Sequence, residues 1–172
     1  RMFGWFLQDH PKFDIELPVG LDWLNPRLGG DKTLASYGVK IDETSRYYQV
    51  HAAARTAVPA EHLAFLNALP LHYETDDYIF VHAGIRPDVA LAAQTERDLL
   101  WIREPFLSHS APRAKMIIHG HTALEAPQLY SNRLNLDGGA GYGRPLTPVV
   151  IDNKQIFCLG AHGRVLLEQS AL

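Results

Sequence analysis

Cysteine is nearly absent from this sequence: Cys158 stands alone, so no disulfide can close within the chain and no cysteine-rich zinc knuckle can form. No apolar run approaches the roughly 20 residues that cross a bilayer as a helix. Positive charge is not in excess either. Lysine and arginine total 16 against 19 aspartates and glutamates, a net charge of −3, which leaves no basic field to attract nucleic acid or anionic lipid. There is no Gly-x-Ser-x-Gly elbow for a serine hydrolase. The glycine-rich residues 137–143 lack the lysine-serine or lysine-threonine ending of a phosphate-binding loop and open no helix, so they read as tight turning beside a site. Neither repeats nor low-complexity tracts are visible. With 47% hydrophobic and 20% charged residues, the composition is that of a globular chain, read as a single domain over residues 1–172 in a reducing, cytoplasmic setting.

The first residue is Arg1 rather than methionine, and residues 2–7 are apolar and aromatic from the outset, without a cap or a targeting pattern. That beginning predicts a short buried helix and a chain cut from a longer one.

Prolines and glycines interrupt residues 11–30, where Trp23 and Leu24 are expected to anchor an irregular connection. Asp31 is placed to cap a helix reaching Tyr37 and stopped by Gly38. Pro59 opens a further helix, in which Leu63, Leu66 and Leu69 recur at helical spacing before Pro70. Beyond it the texture turns to β. Strands are predicted over 71–74 and 78–81, joined as a hairpin through Thr75-Asp76-Asp77, then over 115–118, 133–136, 146–151, 155–159 and 164–168. Residues 94–106 between them are helical or loop-rich. The expected class is α/β or α+β, with a second half rich in antiparallel strands.

Two histidines share a distinctive context. His82 ends Tyr78-Ile79-Phe80-Val81 and precedes Ala83-Gly84; His121 follows Lys115-Met116-Ile117-Ile118 within His119-Gly120-His121-Thr122. A strand fixes the backbone, small neighbours leave room for an ion, and neutral imidazole binds borderline divalent cations. The alternative for each is a hydrogen-bonded structural histidine. The role of His119 is open, and His10, His51, His62, His72, His109 and His162 are read as surface or turn residues. Arg103, in Trp101-Ile102-Arg103-Glu104-Pro105-Phe106, is a candidate fork for an oxyanion; its alternative is a salt bridge to Glu104, Asp98 or Glu96.

Taken in order, Val81-His82-Ala83-Gly84, Trp101-Ile102-Arg103-Glu104-Pro105-Phe106, His119-Gly120-His121-Thr122, Asn135-Leu136-Asp137-Gly138-Gly139-Ala140 and Leu146-Thr147 resemble a known family. The likeness is to the C-terminal half of bacterial serine/threonine protein phosphatases of the phosphoprotein phosphatase type, within the calcineurin-like metallophosphoesterases. It runs to about Asp152, and Gly29-Gly30-Asp31-Lys32-Thr33-Leu34 with Ser36-Tyr37-Gly38 also fits bacterial members. The resemblance implies the distal half of a β-sandwich flanked by helices. It further implies two divalent ions, commonly manganese with iron or zinc as alternatives, His82 and His121 as ligands of the second ion, and Arg103 gripping the substrate phosphate. Hydrolysis of phosphoserine or phosphothreonine in proteins would then proceed by in-line attack of hydroxide made from water between the ions, without a phosphoenzyme.

The family also carries Asp-x-His, Asp-x-x-Asp-Arg and Asn-His-Glu blocks that supply the remaining ligands and the general-acid histidine. None of these occurs here. The expectation is therefore that the general acid lies upstream of Arg1, that this chain holds no catalytic residue of its own, and that alone it has little or no phosphatase activity. Two other readings stand beside it: a symmetrical diadenosine tetraphosphate hydrolase using the same metal site, and a non-catalytic binding module that keeps half of the fold.

Overall fold

The computed structural model describes residues 1–170. The protein is a mixed α+β chain, and its internal contacts gather in two compact units, residues 1–69 and 70–172.

The first unit is helical: α1 (Met2–Phe6), α2 (Gly30–Ser36), α3 (Tyr47–Ala57) and α4 (Ala60–Ala68). Its core is Phe6, Leu7, Leu34, Val39, Val50, Ala54 and Val58. Trp23 anchors the irregular connection as expected, its ring 5.1 Å from that of Phe3 and 5.0 Å from that of Phe6. Gly30 makes that approach possible, because a Cβ there would stand 2.1 Å from the Trp23 carbonyl oxygen. Helix α2 is not capped by Asp31: Gly29, left-handed at φ 73°, occupies the cap, and Asp31 sits in the first turn, where the helix dipole favours a carboxylate. Helix α3 was not foreseen. It buries only Val50 and Ala54, one turn apart, so its alanine-rich sequence carries no apolar stripe to reveal it. In α4 the predicted leucine stripe is not a core face; Leu66 and Leu69 lie in solvent, and only Leu63 reaches the cluster.

The second unit begins with β1 (His72–Glu74) and β2 (Tyr78–Val81), an antiparallel hairpin through Thr75 as expected. Helix α5 (Glu96–Trp101) follows, then β3 (Met116–His119), β4 (Gln128–Leu129) and β5 (Arg133–Asn135). These strands form one sheet in the order β1-β2-β3-β5-β4. Its centre is parallel, β2 to β3 and β3 to β5, which the expectation of antiparallel strands did not include. The two-residue β4 was missed; it is too short to show alternation. Strands β6 (Val149–Asp152), β7 (Gln155–Gly160) and β8 (Gly163–Leu166) make a second, antiparallel sheet.

Period-two alternation divides the central strands between two apolar clusters. Ile79, Val81 and Ile117 meet Leu99 of α5 together with Ala83, Ile85, Ile102 and Phe106. Ile118 and Leu134 on the opposite face meet Ile156 of β7, with Val149 and Ile151 of β6 around them. The carboxyl ends of three parallel neighbours, β2, β3 and β5, are thereby held side by side by packing on both faces. Open sheets of this kind place ligands at that edge. Among the described residues no helix is long and apolar enough to cross a membrane.

Candidate functional site

His82 is the first residue beyond β2, and His121 lies two residues beyond β3. The segments that carry them are stitched directly: the Gly120 N–H donates to the His82 carbonyl at 2.9 Å, and the Ala83 N–H donates to the Leu99 carbonyl at 2.9 Å. Strand alternation stops at His119. His121 adopts a left-handed backbone at φ 66°, a conformation that a non-glycine side chain reaches only when its surroundings impose it. The turn brings the two rings together, with His82 Nε2 3.2 Å from His121 Nδ1 and ring centroids 5.0 Å apart. Trp101 closes the far side of His121 edge-on at 5.5 Å.

Around the pair lies an open hollow of about 390 Å³ floored by Phe80, Ile118 and Leu136 and rimmed by His82, His119, His121 and Asp137. Burial pushes the His121 imidazole down to about 4, with the charge of Arg103 and the neighbouring His82 adding to it, while Asp137 opposes. His82 shifts in the same direction through loss of solvent, again with Asp137 opposing. Both imidazoles are therefore neutral at neutral pH, the state in which a ring nitrogen offers its lone pair to a cation.

His119, left open by the sequence, is buried. Its ring meets Phe106 edge-on at 4.9 Å, and its Nδ1 lies 3.1 Å from the Gly120 carbonyl oxygen. Burial takes its pKa to about 4. Those contacts seat it in the wall of the hollow.

Arg103 is exposed and close enough for its charge to act on His121. Two of its suggested salt-bridge partners are engaged elsewhere. Asp98 binds Arg86 at 2.6 Å, and Glu104 accepts from the Ser108 hydroxyl at 2.6 Å. The turn carrying Arg103 is fixed from below, because the Leu107 N–H donates to the Arg103 carbonyl and Phe106 is buried in the α5-side core.

Asp137 is the site residue the sequence reading did not single out, having treated it as part of a turn. Its Oδ1 accepts from the Gly139 N–H at 2.9 Å, and its charge acts on His82, His119 and His121 alike. The available signal was an acid just past a strand end and before two glycines, the same context that marked the histidines.

A divalent ion bound by two imidazoles at about 2.1 Å, with an angle near 90–110°, needs nitrogens about 3.0–3.4 Å apart. The 3.2 Å between His82 Nε2 and His121 Nδ1 meets that requirement. The two rings are hydrogen-bonded to each other here, and by that distance the pair is compatible with one ion. Among the described residues, however, no three or more histidine, cysteine, aspartate or glutamate side chains come together as a metal-binding group, so the pair supplies part of a shell. A scan against models of known protein families finds no match to this chain, and neither does a search of curated proteins.

Proposed function

We propose that this chain supplies the distal part of a metal-dependent phosphoesterase that hydrolyses phosphoserine and phosphothreonine in proteins. The observation that carries the proposal is the pairing of His82 Nε2 with His121 Nδ1 at a spacing suited to one ion, beside the exposed side chain of Arg103, whose charge acts on His121. The ordered motifs that resemble bacterial protein phosphatases add the reaction class.

In this reading His82 and His121 hold one of two divalent ions, manganese by resemblance. Bound there, the ions supply Lewis acidity and an activated water. Arg103 offers a planar fork of donors to two phosphate oxygens and so orients the phosphorus towards the histidine pair. Burial keeps both imidazoles deprotonated, so proton competition does not weaken the ligands at neutral pH. Ile118, Phe80 and Leu136 give the hollow an apolar side. The remaining anionic ligands and the proton donor to the leaving group are assigned to residues outside this set, which makes the isolated chain a poor catalyst.

The test is to express the product of the complete reading frame and measure manganese-dependent hydrolysis of a phosphoserine peptide and of diadenosine tetraphosphate. Turnover of the peptide that vanishes in His82→Ala and His121→Ala is expected. Preference for the dinucleotide overturns the substrate assignment, and robust turnover without divalent metal, or by the double histidine variant, overturns the site.

A further inference from the structure

Strand β5 ends in an asparagine that is 2% exposed. Asn135 stands opposite His119 across the β3–β5 ladder, and its side chain makes two bonds. Its Nδ2 donates to the Thr122 carbonyl at 2.8 Å, and its Oδ1 accepts from the Asp137 N–H at 2.9 Å. One amide therefore fastens both turns that rim the hollow, using its donor for one and its acceptor for the other. Main-chain bonds join the same turns: Leu136 N–H to the His119 carbonyl, and Leu124 N–H to the Asp137 carbonyl, each at 2.8 Å.

The backbone of His121 is where that fastening matters. At φ 66° it is in a region disfavoured for a residue with a Cβ; the Thr122 N–H bond to the Gly120 carbonyl at 2.7 Å spans it from within, and the Asn135 bond to the Thr122 carbonyl adds the restraint from outside the turn. The Thr122 carbonyl held by Asn135 belongs to the very next residue. We propose that Asn135 is a positioning residue, which holds His121 in its left-handed turn and so sets the spacing between the His121 and His82 imidazoles. Its consequence for metal binding rests on reading those histidines as a ligand pair; its geometric content does not. Removing the Asn135 donor releases the turn, and the His121 ring leaves His82.

Asn132 provides a matched control. It is also a buried asparagine, and its Nδ2 donates twice, to the His109 and Ala111 carbonyls, in a loop that does not rim the hollow. Loss of this amide disturbs a loop of comparable burial without touching the Thr122 carbonyl.

The experiment uses the ¹⁵N-labelled chain at pH 7.5, with the ring-nitrogen signals of His82 and His121 assigned by His82→Gln and His121→Gln. Asn135→Ser, Asn135→Asp and Asn132→Ser are compared before and after addition of Zn²⁺ alone. Both Asn135 variants are expected to displace the ring signals of His82 and His121 and to weaken Zn²⁺ binding about 10–100-fold, the range for losing an outer support of a ligand. Asn132→Ser is expected to leave ring signals in place and Zn²⁺ affinity within about twofold. Unmoved ring signals in folded Asn135 variants overturn the proposal, as does equal displacement by Asn132→Ser. Failure of both Asn135 variants to fold while Asn132→Ser folds also overturns it, since the residue is then a stability residue. Displaced rings in the Asn135 variants, with no Zn²⁺ response in the unmodified chain, support the positioning role and overturn the ligand-pair reading. Zn²⁺ binding by the unmodified chain with unmoved rings in the variants does the reverse.

Discussion

Gly84 lies against the ring of Phe106 so closely that a Cβ on it would stand 2.3 Å from Cδ1 and 2.6 Å from Cε1. Phe106 is 2% exposed and meets His119 edge-on, so the ring has nowhere to retreat. One contact thus ties the segment after His82, the turn after Arg103 and the end of β3 together. Gly84→Ala is therefore expected to destabilise the second unit by about 1–3 kcal/mol, the usual cost of overpacking a filled core. Urea unfolding followed through amide signals of β3 checks it, and a loss below a few tenths of a kcal/mol would show that Phe106 can move aside.

What the sequence made legible follows from how local each signal is. Strands β2 and β3 announce themselves through runs of apolar residues, and their ends locate His82 and His121 without any tertiary information. Their parallel pairing is not a local property. It depends on α5 and the intervening loops carrying the chain back across the sheet, and no run of residues encodes that. Helix α3 escaped notice because only Val50 and Ala54 of it are buried, too few to mark a stripe in its alanine-rich sequence, and the leucines of α4 misled because helical spacing reports a helix but not which face is covered. The proximity of His82 to His121 was expected from their shared context. The 3.2 Å spacing, the left-handed turn and the support from Asn135 depend on contacts between residues distant in sequence.

The start of α5 carries the second prediction. Thr95 and Asp98 cap each other: Asp98 N–H donates to Thr95 Oγ1 at 3.1 Å, while Asp98 Oδ2 accepts from Thr95 N–H at 3.1 Å and from its hydroxyl at 2.7 Å. The other carboxylate oxygen takes Arg86 at 2.6 Å. Burial pulls the Asp98 pKa up, but these bonds together hold it below the usual carboxylate range. Asp98→Ala removes all of them at a buried position and should cost about 2–4 kcal/mol. Asp98→Asn keeps the shape and part of the bonding and should cost less. Equal losses for the two would show that charge matters more than the capping geometry.

Stability should also depend on pH, with a sign set by the histidines. His119 and His121 have folded pKa values near 4 against an ordinary 6.5, so between about pH 4 and 6.5 the unfolded chain binds more protons than the folded one. Folding free energy is therefore full above about pH 7 and falls as the pH drops through that window. Asp98, lowered from its ordinary 3.8, contributes only below it, where its stabilisation is lost as the carboxylate is protonated. Urea titrations at pH 7.5 and pH 5.0 are expected to differ, with His119 accounting for on the order of 1–2 kcal/mol. In His119→Gln the difference should shrink by that amount. A variant with the full pH dependence would assign the effect to His121 and His82 instead.

Arg103 separates stability from function. It is exposed and forms no ion pair among the described residues, and the burial that fixes its turn belongs to Ile102 and Phe106 on either side. Its side chain is thus free for an external anion while its backbone is not free to wander. Arg103→Ala should change the stability of the second unit by no more than about 0.5 kcal/mol, as for other surface substitutions. In the product of the complete reading frame the same change is expected to lower kcat/KM for a phosphoserine peptide by on the order of 10²–10³-fold, the range for removing a donor aimed at developing negative charge. Arg103→Lys should recover little, because an ammonium restores the charge but not the two-pronged geometry. Full rescue by lysine would reduce the role of Arg103 to its charge, and unchanged turnover in Arg103→Ala would remove it from the phosphate site. In either case the His82–His121 pair stands or falls on its own metal binding.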